Sequence, residues 1–225
     1  MATVSSLTWV GNHEPQPDLG EIGNINFSIG STIPVVAVNV LFTIGHSTHS
    51  IEEFIELLTA HHVHHLVDVR SIPKSRHVPQ FNTDALDLSL HAAGIDYTHL
   101  KALGGRRHSR KNSINTGWRN TSFRGYADYM STPQFAEGLA ALIQIARTTP
   151  TVIMCAEAVP WRCHRSLIAD AMILKGWDVR DILTTAPATE HKLTPFLKVV
   201  DGQPTYPDPN EPGTLFNQNQ KKLSP

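Results

Sequence analysis

The sequence predicts an α/β fold: a single three-layer α/β/α domain with a predominantly parallel sheet and coil extensions at both ends. Short apolar, β-branched runs of strand length alternate with segments in which apolar residues recur at helical spacing. Strands separated by helices pair in parallel, and the helices then cover both faces of the sheet. The 225 residues therefore divide into an irregular N-terminal extension (1–34), an α/β domain (35–183) and a Pro-rich C-terminal tail (184–225).

Local signals support each element in the first half of the domain. The run VVAVNVLFTI, which begins at Val35, predicts a buried strand. Ser50 and Glu53 form a capping box, so the first helix should begin directly after Ser50. Three further elements follow: a strand at Leu66–Arg70, a helix around Asp84–Ala93 that ends at Gly94, and a strand at Ile95–Leu100.

A long basic loop, Lys101–Arg124, separates the two halves and exceeds the usual length of a connection. Thr132 as cap and Pro133 at the first helical position predict a helix that extends to about Arg147. The remaining elements are a strand at Thr151–Met154, a helix at Ser166–Lys175 and a strand at Trp177–Leu183. The tail from Thr184 is expected to wrap the domain as coil because it is rich in proline.

Composition predicts a soluble cytoplasmic protein. A 40% hydrophobic and 17% charged composition is typical of globular chains. No apolar stretch reaches the roughly 18 residues of a membrane span, and the start MATVSSLTW lacks the pattern of a secretory signal. Two cysteines without an export signal favour free thiols in a reducing compartment. We expect no membrane partner and no cofactor, and the oligomeric state does not follow from the sequence.

Charge is distributed unevenly, although the formal net charge is only −1. Between Asp96 and Asp128 there is no carboxylate, and the rest of the chain holds 12 basic and 20 acidic residues, a formal −8. The seven cations of this interval are Lys101, Arg106, Arg107, Arg110, Lys111, Arg119 and Arg124. Since Trp118, Phe123 and Tyr126 are interleaved with them, the loop offers the cations and stacking faces that bind nucleotides or single strands. The alternative is a solvated loop whose aromatic residues pack on the next helix.

Reactive side chains are concentrated in the segment Thr151–Lys175, where a buried strand passes into a helix. Ligands of open parallel sheets bind at such crossings. The candidate catalytic residues there are Cys155, Glu157, Cys163 and His164. At a helix start, backbone N–H groups would acidify the thiol of Cys163 and attract a phosphate, which Arg165 would clamp. Alternatively, Cys163 is a small buried residue and Arg165 belongs to a structural ion pair.

Cys155 and Glu157 are two residues apart, so they should point to one face past the end of their strand. Glu157 is the favoured general acid or base. The alternative makes Cys155 a core residue and Glu157 the partner of an arginine. Cys155 and Cys163 also suit a disulfide or half of a metal-ligand set, but with His164 their spacing is unusual for zinc. We therefore predict no metal in the site.

Two glycine-containing turns supply candidate ligand-binding residues. Gly45, His46 and Ser47 follow the first strand as a turn through which the backbone can approach an anion. Gly104 and Gly105 open the basic loop in the same way.

The strand that ends at Arg70 supplies another group of candidates. Asp68 and Arg70 share a face of the strand, and Arg76 lies in the loop that follows. The pair is open to two interpretations, one structural and one ligand-binding. The run His61–His65 resembles a metal tag, but histidines between a helix and a strand also suit the helix C-terminus and solvent.

Several motifs in order resemble the domain-of-unknown-function 488 family. They are TIGHS at Thr43–Ser47, LVDVR at Leu66–Arg70, GIDY at Gly94–Tyr97, LGG at Leu103–Gly105, the region of Trp118, Phe123 and Tyr126, and MCAE followed by CHR. The resemblance covers about residues 42–183. It implies the α/β fold and the location of the site, and it places Tyr97 and Tyr126 among the ligand-binding candidates. It implies no particular reaction.

A fainter resemblance concerns the rhodanese-type sulfurtransferases, which carry an aspartate–arginine pair and a cysteine loop before a helix. Asp68, Arg70, Cys155 and Arg165 are similar in kind. The rhodanese loop places arginine five positions after its cysteine, and here that position is Pro160.

Together these features predict an enzyme that acts on a nucleotide or a nucleic-acid strand. Arg70 and Arg165 would bind anionic groups, Glu157 and His164 would move protons, and Cys155 or Cys163 would be the nucleophile. The alternatives are a noncatalytic nucleic-acid-binding module and a rhodanese-like thiol sulfurtransferase. The enzyme hypothesis requires four segments to meet in one cleft because the carboxyl ends of parallel strands share an edge. These segments are Gly45–Ser47, Asp68–Arg70, Cys155–Glu157 and Cys163–Arg165.

Overall fold

The computed structural model of the protein describes residues 39–210. Its central sheet has the strand order β3-β2-β4-β1-β5-β6. The strands are β1 (Val40–Gly45), β2 (His65–Asp68), β3 (Asp96–His99), β4 (Thr151–Cys155), β5 (Asp178–Asp181) and β6 (Thr189–Glu190). Every pairing among β1 to β5 is parallel, and β6 pairs antiparallel with β5 at the edge. The predicted α/β fold with a predominantly parallel sheet is therefore confirmed.

Helices cover both faces of this sheet. They are α1 (Ile51–Ala60), α2 (Thr83–Ala92), α3 (Thr121–Tyr129), α4 (Pro133–Thr148) and α5 (Arg165–Leu174). One buried apolar cluster joins α1 and α2 to strand residues such as Val152 and Met154. A second cluster joins α3, α4 and α5 to Ile153 and Cys155 of the same strand. Successive residues of β4 thus pack on opposite faces, which explains why the whole strand is buried and why Val152, Ile153 and Met154 are all apolar.

The predicted capping signals are present in the structure. The Ser50 side chain accepts from the backbone N–H of Glu53, and the Glu53 carboxylate accepts from the backbone N–H of Ser50. Thr132 accepts from the N–H of Phe135 at the start of α4. These local bonds fix where α1 and α4 begin, and therefore which side chains face the sheet.

Helix α3 was not predicted, because its sequence was assigned to the end of the basic loop. The Asn120 side chain accepts from the backbone N–H of Ser122 and begins the helix. Phe123 and Tyr126 then recur at helical spacing toward the apolar cluster. The irregular part of the loop therefore ends at Asn120, and Arg124 lies on the helix.

The tail from Thr184 is not simply coil, contrary to the expectation. Besides β6 it forms a hairpin of β7 (Lys198–Val200) and β8 (Gln203–Thr205). Asp170 of α5 accepts hydrogen bonds from the N–H and hydroxyl of Thr194 and from the hydroxyl of Tyr206. The Tyr206 side chain is fully buried. Prolines did not exclude structure here because apolar tail residues pack on the domain.

The predicted N-terminal extension (1–34), the first residues of the predicted strand (35–38) and the end of the tail (211–225) lie outside the described residues. Within residues 39–210, no helix has both the length and the apolar character needed to cross a bilayer.

Candidate functional site

A cleft of about 350 Å³ lies at the carboxyl ends of the central strands. In register, Gly45 is paired with Cys155 and Asp68 with Met154, so β1, β2 and β4 end side by side. The lining includes the predicted residues Arg70, Gly105, Arg106, Cys155, Glu157, Cys163 and His164. The sheet edge thus brings together the reactive residues of the strand-to-helix segment. Of the four segments expected to meet in one cleft, Gly45–Ser47 contributes no lining residue, and Cys163–Arg165 contributes only Cys163 and His164.

Two thiols and an imidazole form one compact group at this cleft. The Sγ atom of Cys155 lies 3.8 Å from Nδ1 of His164, and the Sγ atom of Cys163 lies 3.7 Å from the same nitrogen. The Nε2 atom of His164 is 2.9 Å from the carbonyl oxygen of Val69. A carbonyl can only accept, so Nε2 carries a hydrogen, and in the Nε2–H tautomer the lone pair of Nδ1 faces the two sulfur atoms.

The thiols differ in acidity because one donates to the other. The hydrogen bond from Cys155 lowers the pKa of the Cys163 thiol to about 7 against the opposing effect of burial, and the guanidinium of Arg165 adds to the lowering. The same hydrogen bond, followed by burial, raises the pKa of Cys155 well above its usual value. Cys163 is therefore the more acidic of two buried free thiols.

Arg165 does not face the cleft, contrary to the prediction that it binds an anionic group. Its side chain is buried, and its two terminal nitrogens donate to the backbone carbonyl oxygens of Glu157 and Ala158, the latter at 2.8 Å. The observed contacts agree better with the alternative, in which Arg165 has a structural role. Its partners, however, are carbonyl groups and not the carboxylate of an ion pair. Arg165 fixes the backbone of the loop between β4 and α5.

Asp68 and Arg70 form a buried ion pair in which the guanidinium contacts both carboxylate oxygens. Tyr97 donates its hydroxyl hydrogen to the same carboxylate at 2.9 Å, and Arg70 also donates to the carbonyl of Phe81. The structural interpretation of the pair is thus favoured, although Arg70 borders the cleft. Tyr97 and Asp68 lie behind the lining and not in it.

The turn Gly45–Ser47 is not an anion site, contrary to the prediction. The N–H of His46 donates to the carbonyl of Cys155 at 3.0 Å, and the N–H of Ser47 donates to that of Ala156 at 2.9 Å. The close backbone approach at Gly45 is to the loop itself, since a Cβ there would lie 1.8 Å from the carbonyl oxygen of Glu157. This turn therefore supports the loop that carries Glu157.

We expect His46 to make stability pH-dependent. Its ring is buried and stacked on Phe81, and burial together with Arg70 lowers its pKa to about 4. A lowered pKa means that the unfolded chain binds the proton more readily, so this stabilisation is complete above pH 6.5 and is lost as the pH falls toward 4. The full loss is about 3 kcal/mol.

The measurement is urea unfolding of wild type and His46→Gln between pH 4 and 7. The variant should show a weaker dependence on pH, whereas replacement of the exposed His77 by Gln should leave the dependence unchanged. Identical slopes for wild type and His46→Gln would show that His46 does not titrate in this way.

Only one cation of the basic loop borders the cleft. Arg106 is exposed and lines it, whereas the Arg107 guanidinium lies 3.9 Å from the centre of the Tyr129 ring and donates to carbonyl groups. Arg124 donates to the carbonyl of Trp118. Arg76, a predicted ligand-binding residue, is exposed and outside the lining.

Tyr126 and Gly104 shape the site from behind, whereas Gly105 lines the cleft. The buried Tyr126 ring lies 4.9 Å from the ring of His164, and its hydroxyl donates to the carbonyl of Leu103. A Cβ on Gly105 would lie 2.4 Å from Nδ1 of His164, and one on Gly104 would contact Ser71. The absence of a side chain at Gly105 therefore lets the loop pack directly on the imidazole.

A second cavity of about 540 Å³ adjoins the cleft, and three of its six lining residues are aromatic. Both cavities are lined by Asn120, Phe123, Glu157 and Arg162, and the second adds Trp118 and Trp161. Trp118 is half-buried against Phe123, Phe196 and Tyr206, while Trp161 is 66% exposed.

Sequence reasoning omitted several of these lining residues from the site. They are Asn120, Ser122, Trp161 and Arg162. The position of Trp161 and Arg162 between the two cysteines was the available signal. Asn120 and Ser122 reach the cleft at the start of the unpredicted helix α3, for which the capping residue Asn120 was the available signal.

The fold and the cleft define an α/β protein with a thiol–imidazole site at the carboxyl edge of a parallel sheet. A family model for a domain of unknown function, DUF488, matches residues 50–172, and the chain belongs to this family. The matched region includes both cysteines and His164. No curated protein and no solved structure matches the chain.

Proposed function

We propose that the protein is an enzyme that acts on a phosphate-bearing ligand with a planar base, that is, a nucleotide or the end of a strand. The observation that carries this proposal is the continuity of two different cavities. One is bordered by arginines above the thiol–imidazole group, and the other is aromatic. A nucleotide has one anionic and one aromatic end, and it matches this pairing.

The anionic end would bind beside Arg106 and Arg162. Both side chains are exposed and line the cleft, so they can form charge-assisted hydrogen bonds with phosphate oxygens. Arg70 would contribute less to phosphate binding, because its charge is already paired with that of Asp68. The ligand phosphate would then lie next to Cys163 and His164.

The base would stack in the second cavity, where Trp161 exposes its ring and Phe123 also belongs to the lining. Trp118 is a weaker candidate than the sequence suggested, because its ring is committed to Phe196 and Tyr206. We therefore assign the main stacking face to Trp161.

Glu157 is the proton-transfer group in this proposal. Its carboxylate belongs to the only acidic side chain among the described residues that line both cavities. His164 is less suited to exchange protons with a ligand, because Nε2–H is bonded to Val69 and Nδ1 faces the thiols. This favours Glu157 as acid and base and leaves the thiol–imidazole group as the reacting centre.

The proposal predicts distinct effects for two kinds of substitution. Arg106→Ala and Arg162→Ala should each weaken the binding of a nucleoside diphosphate roughly 10-fold and reduce its salt dependence. Arg106→Ala should leave nucleoside binding unchanged, because Arg106 does not line the second cavity. Trp161→Ala should weaken the binding of both the nucleoside diphosphate and the nucleoside by about 1–3 kcal/mol, with little change in salt dependence. Calorimetric titration at several salt concentrations measures these effects.

The matched control is Arg110→Ala, since Arg110 is an exposed cation of the same loop outside both cavities. Incubation of wild type and Glu157→Gln with a nucleotide panel, followed by mass spectrometry, tests catalysis. Strand binding without turnover would favour the noncatalytic module, and a persulfide formed from thiosulfate would favour the sulfurtransferase. Nucleotide affinities that are equal in all variants would refute the proposal.

A further inference from the structure

We propose that Cys155, Cys163 and His164 form a three-ligand zinc site whose fourth position opens into the cleft. The spacing of these residues along the chain is unusual for zinc, and for that reason the sequence predicts no metal. The three-dimensional arrangement leads to a different conclusion, and the metal site is inferred from geometry alone. Its role in catalysis rests on the proposed function.

The distances between the ligand atoms fit a tetrahedral zinc ion. Bond lengths of about 2.3 Å to sulfur and 2.0–2.1 Å to nitrogen place neighbouring ligand atoms roughly 3.5–3.8 Å apart. The observed distances from Nδ1 of His164 to the two sulfur atoms are 3.8 and 3.7 Å, and all three atoms lie within 4.8 Å of one another. The ion therefore requires only small side-chain movements.

The orientation of His164 is already that of a metal ligand. Its Nε2–H donates to the carbonyl of Val69, which leaves the Nδ1 lone pair directed at the cysteines. Metal-bound histidines commonly use their second nitrogen in this way, and the bond fixes both tautomer and ring orientation. The close packing of Gly105 and Tyr126 on the ring further restricts it.

The two cysteines lie on rigid elements. Cys155 ends the buried strand β4, and Cys163 lies two residues before the start of α5 at Arg165, where backbone N–H groups favour a thiolate. Two thiolates and an imidazole are the donor set that selects zinc over hard cations such as Mg²⁺. Among residues 39–210, this is the one cluster of three potential metal ligands.

The histidine run His61–His65 does not provide a competing site. Nε2 of His61 contacts the carbonyl of Thr184 at 2.8 Å, while Nε2 of His65 contacts the hydroxyl of Thr98 at 2.9 Å. Their side chains thus have separate partners and do not converge.

Three protein ligands and one open position are typical of catalytic zinc. A water molecule bound there would face the cleft that Glu157 and the arginines line. In the reaction we infer, the water gives a proton to the Glu157 carboxylate and its oxygen attacks the ligand phosphorus. The bond from phosphorus to the leaving oxygen breaks, and Glu157 transfers the proton to that oxygen. The net reaction is hydrolysis of a phosphate ester.

The test is titration of the metal-free full-length chain with Zn²⁺ and with Co²⁺ under reducing conditions. We expect one equivalent to bind, a sulfur-to-cobalt charge-transfer band with tetrahedral ligand-field absorption, and a rise in the melting temperature with Zn²⁺. Cys155→Ser, Cys163→Ser and His164→Asn should each reduce affinity by more than the roughly 10–100-fold that loss of a supporting partner costs.

Two controls make the test specific. Glu157→Gln should keep the metal affinity, and the combined replacement of His61, His62 and His64 by Gln should keep one tight site. Absence of stoichiometric binding by the wild type would overturn the inference even if a variant fails to fold, as would tight binding that persists in a folded Cys155→Ser, Cys163→Ser double variant.

Different outcomes would refute the zinc site and the proposed nucleotide function. Nucleotide binding is measured with and without Zn²⁺. Nucleotide binding by a chain that takes up no metal would overturn the zinc site and leave the proposed function intact. Stoichiometric zinc without nucleotide binding would support the site and refute the proposed function.

Discussion

Replacing Gly45 by alanine is expected to destabilise the protein by about 3 kcal/mol or more and to weaken ligand binding in the cleft. A Cβ at this position would lie 1.8 Å from the carbonyl oxygen of Glu157, and backbone atoms cannot yield as a flexible side chain does. The loop would have to move away from β1 and would carry the Glu157 carboxylate with it. Urea unfolding and nucleotide titration measure the two effects.

Gly94→Ala is the control for Gly45→Ala. Gly94 has a φ of +73°, and no atom lies within 4 Å of an added Cβ, so this variant carries the backbone cost without a collision. We expect a loss of about 1–2 kcal/mol and unchanged ligand affinity. A Gly45→Ala variant no less stable than Gly94→Ala would contradict the close approach.

The second large effect is expected for Asp68→Ala, at about 3–5 kcal/mol of unfolding free energy. The substitution leaves the buried guanidinium of Arg70 without its carboxylate and removes the acceptor of the Tyr97 hydroxyl. Burying an uncompensated charge costs more than the pair contributes when intact. The measurement is chemical denaturation at neutral pH.

An exposed ion pair of the same chemistry provides the comparison. Arg180 contacts Asp178 at 2.7 Å, but its side chain is largely exposed, so Asp178→Ala should cost no more than about 1 kcal/mol. The double variant Asp68→Leu, Arg70→Met should lose less stability than Asp68→Ala, because no buried charge remains. A similar loss for Asp68→Ala and Asp178→Ala would show that burial does not control the effect.

Local signals in the sequence were sufficient for the order of the elements and the type of sheet. The capping box of Ser50 and Glu53 and the Thr132–Pro133 start depend only on neighbours within one turn, so they can be recognised without tertiary information. Helix α3 had such a signal in Asn120, but the density of positive charge around it favoured the interpretation as a loop.

The meeting of Cys155, Glu157, Cys163 and His164 also followed from the sequence. Parallel strands separated by helices end at one edge, and residues placed directly after a central strand must then lie near that edge. The backbone topology alone places these residues near the edge, whatever the orientation of their side chains.

Tertiary structure alone decided which of the candidate residues face the cleft. Arg107, Arg124 and Arg165 are long side chains that could point several ways, and each is committed to backbone carbonyls or to an aromatic ring. The N–H groups of the Gly45–Ser47 turn were likewise taken by a loop more than 100 residues away in sequence.

The same distinction applies to the metal site. The sequence by itself determined that two cysteines and a histidine lie near one sheet edge. Whether they can share an ion depends on the hydrogen bond from His164 to Val69, 95 residues away, which selects the tautomer and aims Nδ1 at both sulfur atoms. Spacing along the chain does not encode such a contact, because its geometry arises only when separate strands and loops have packed together.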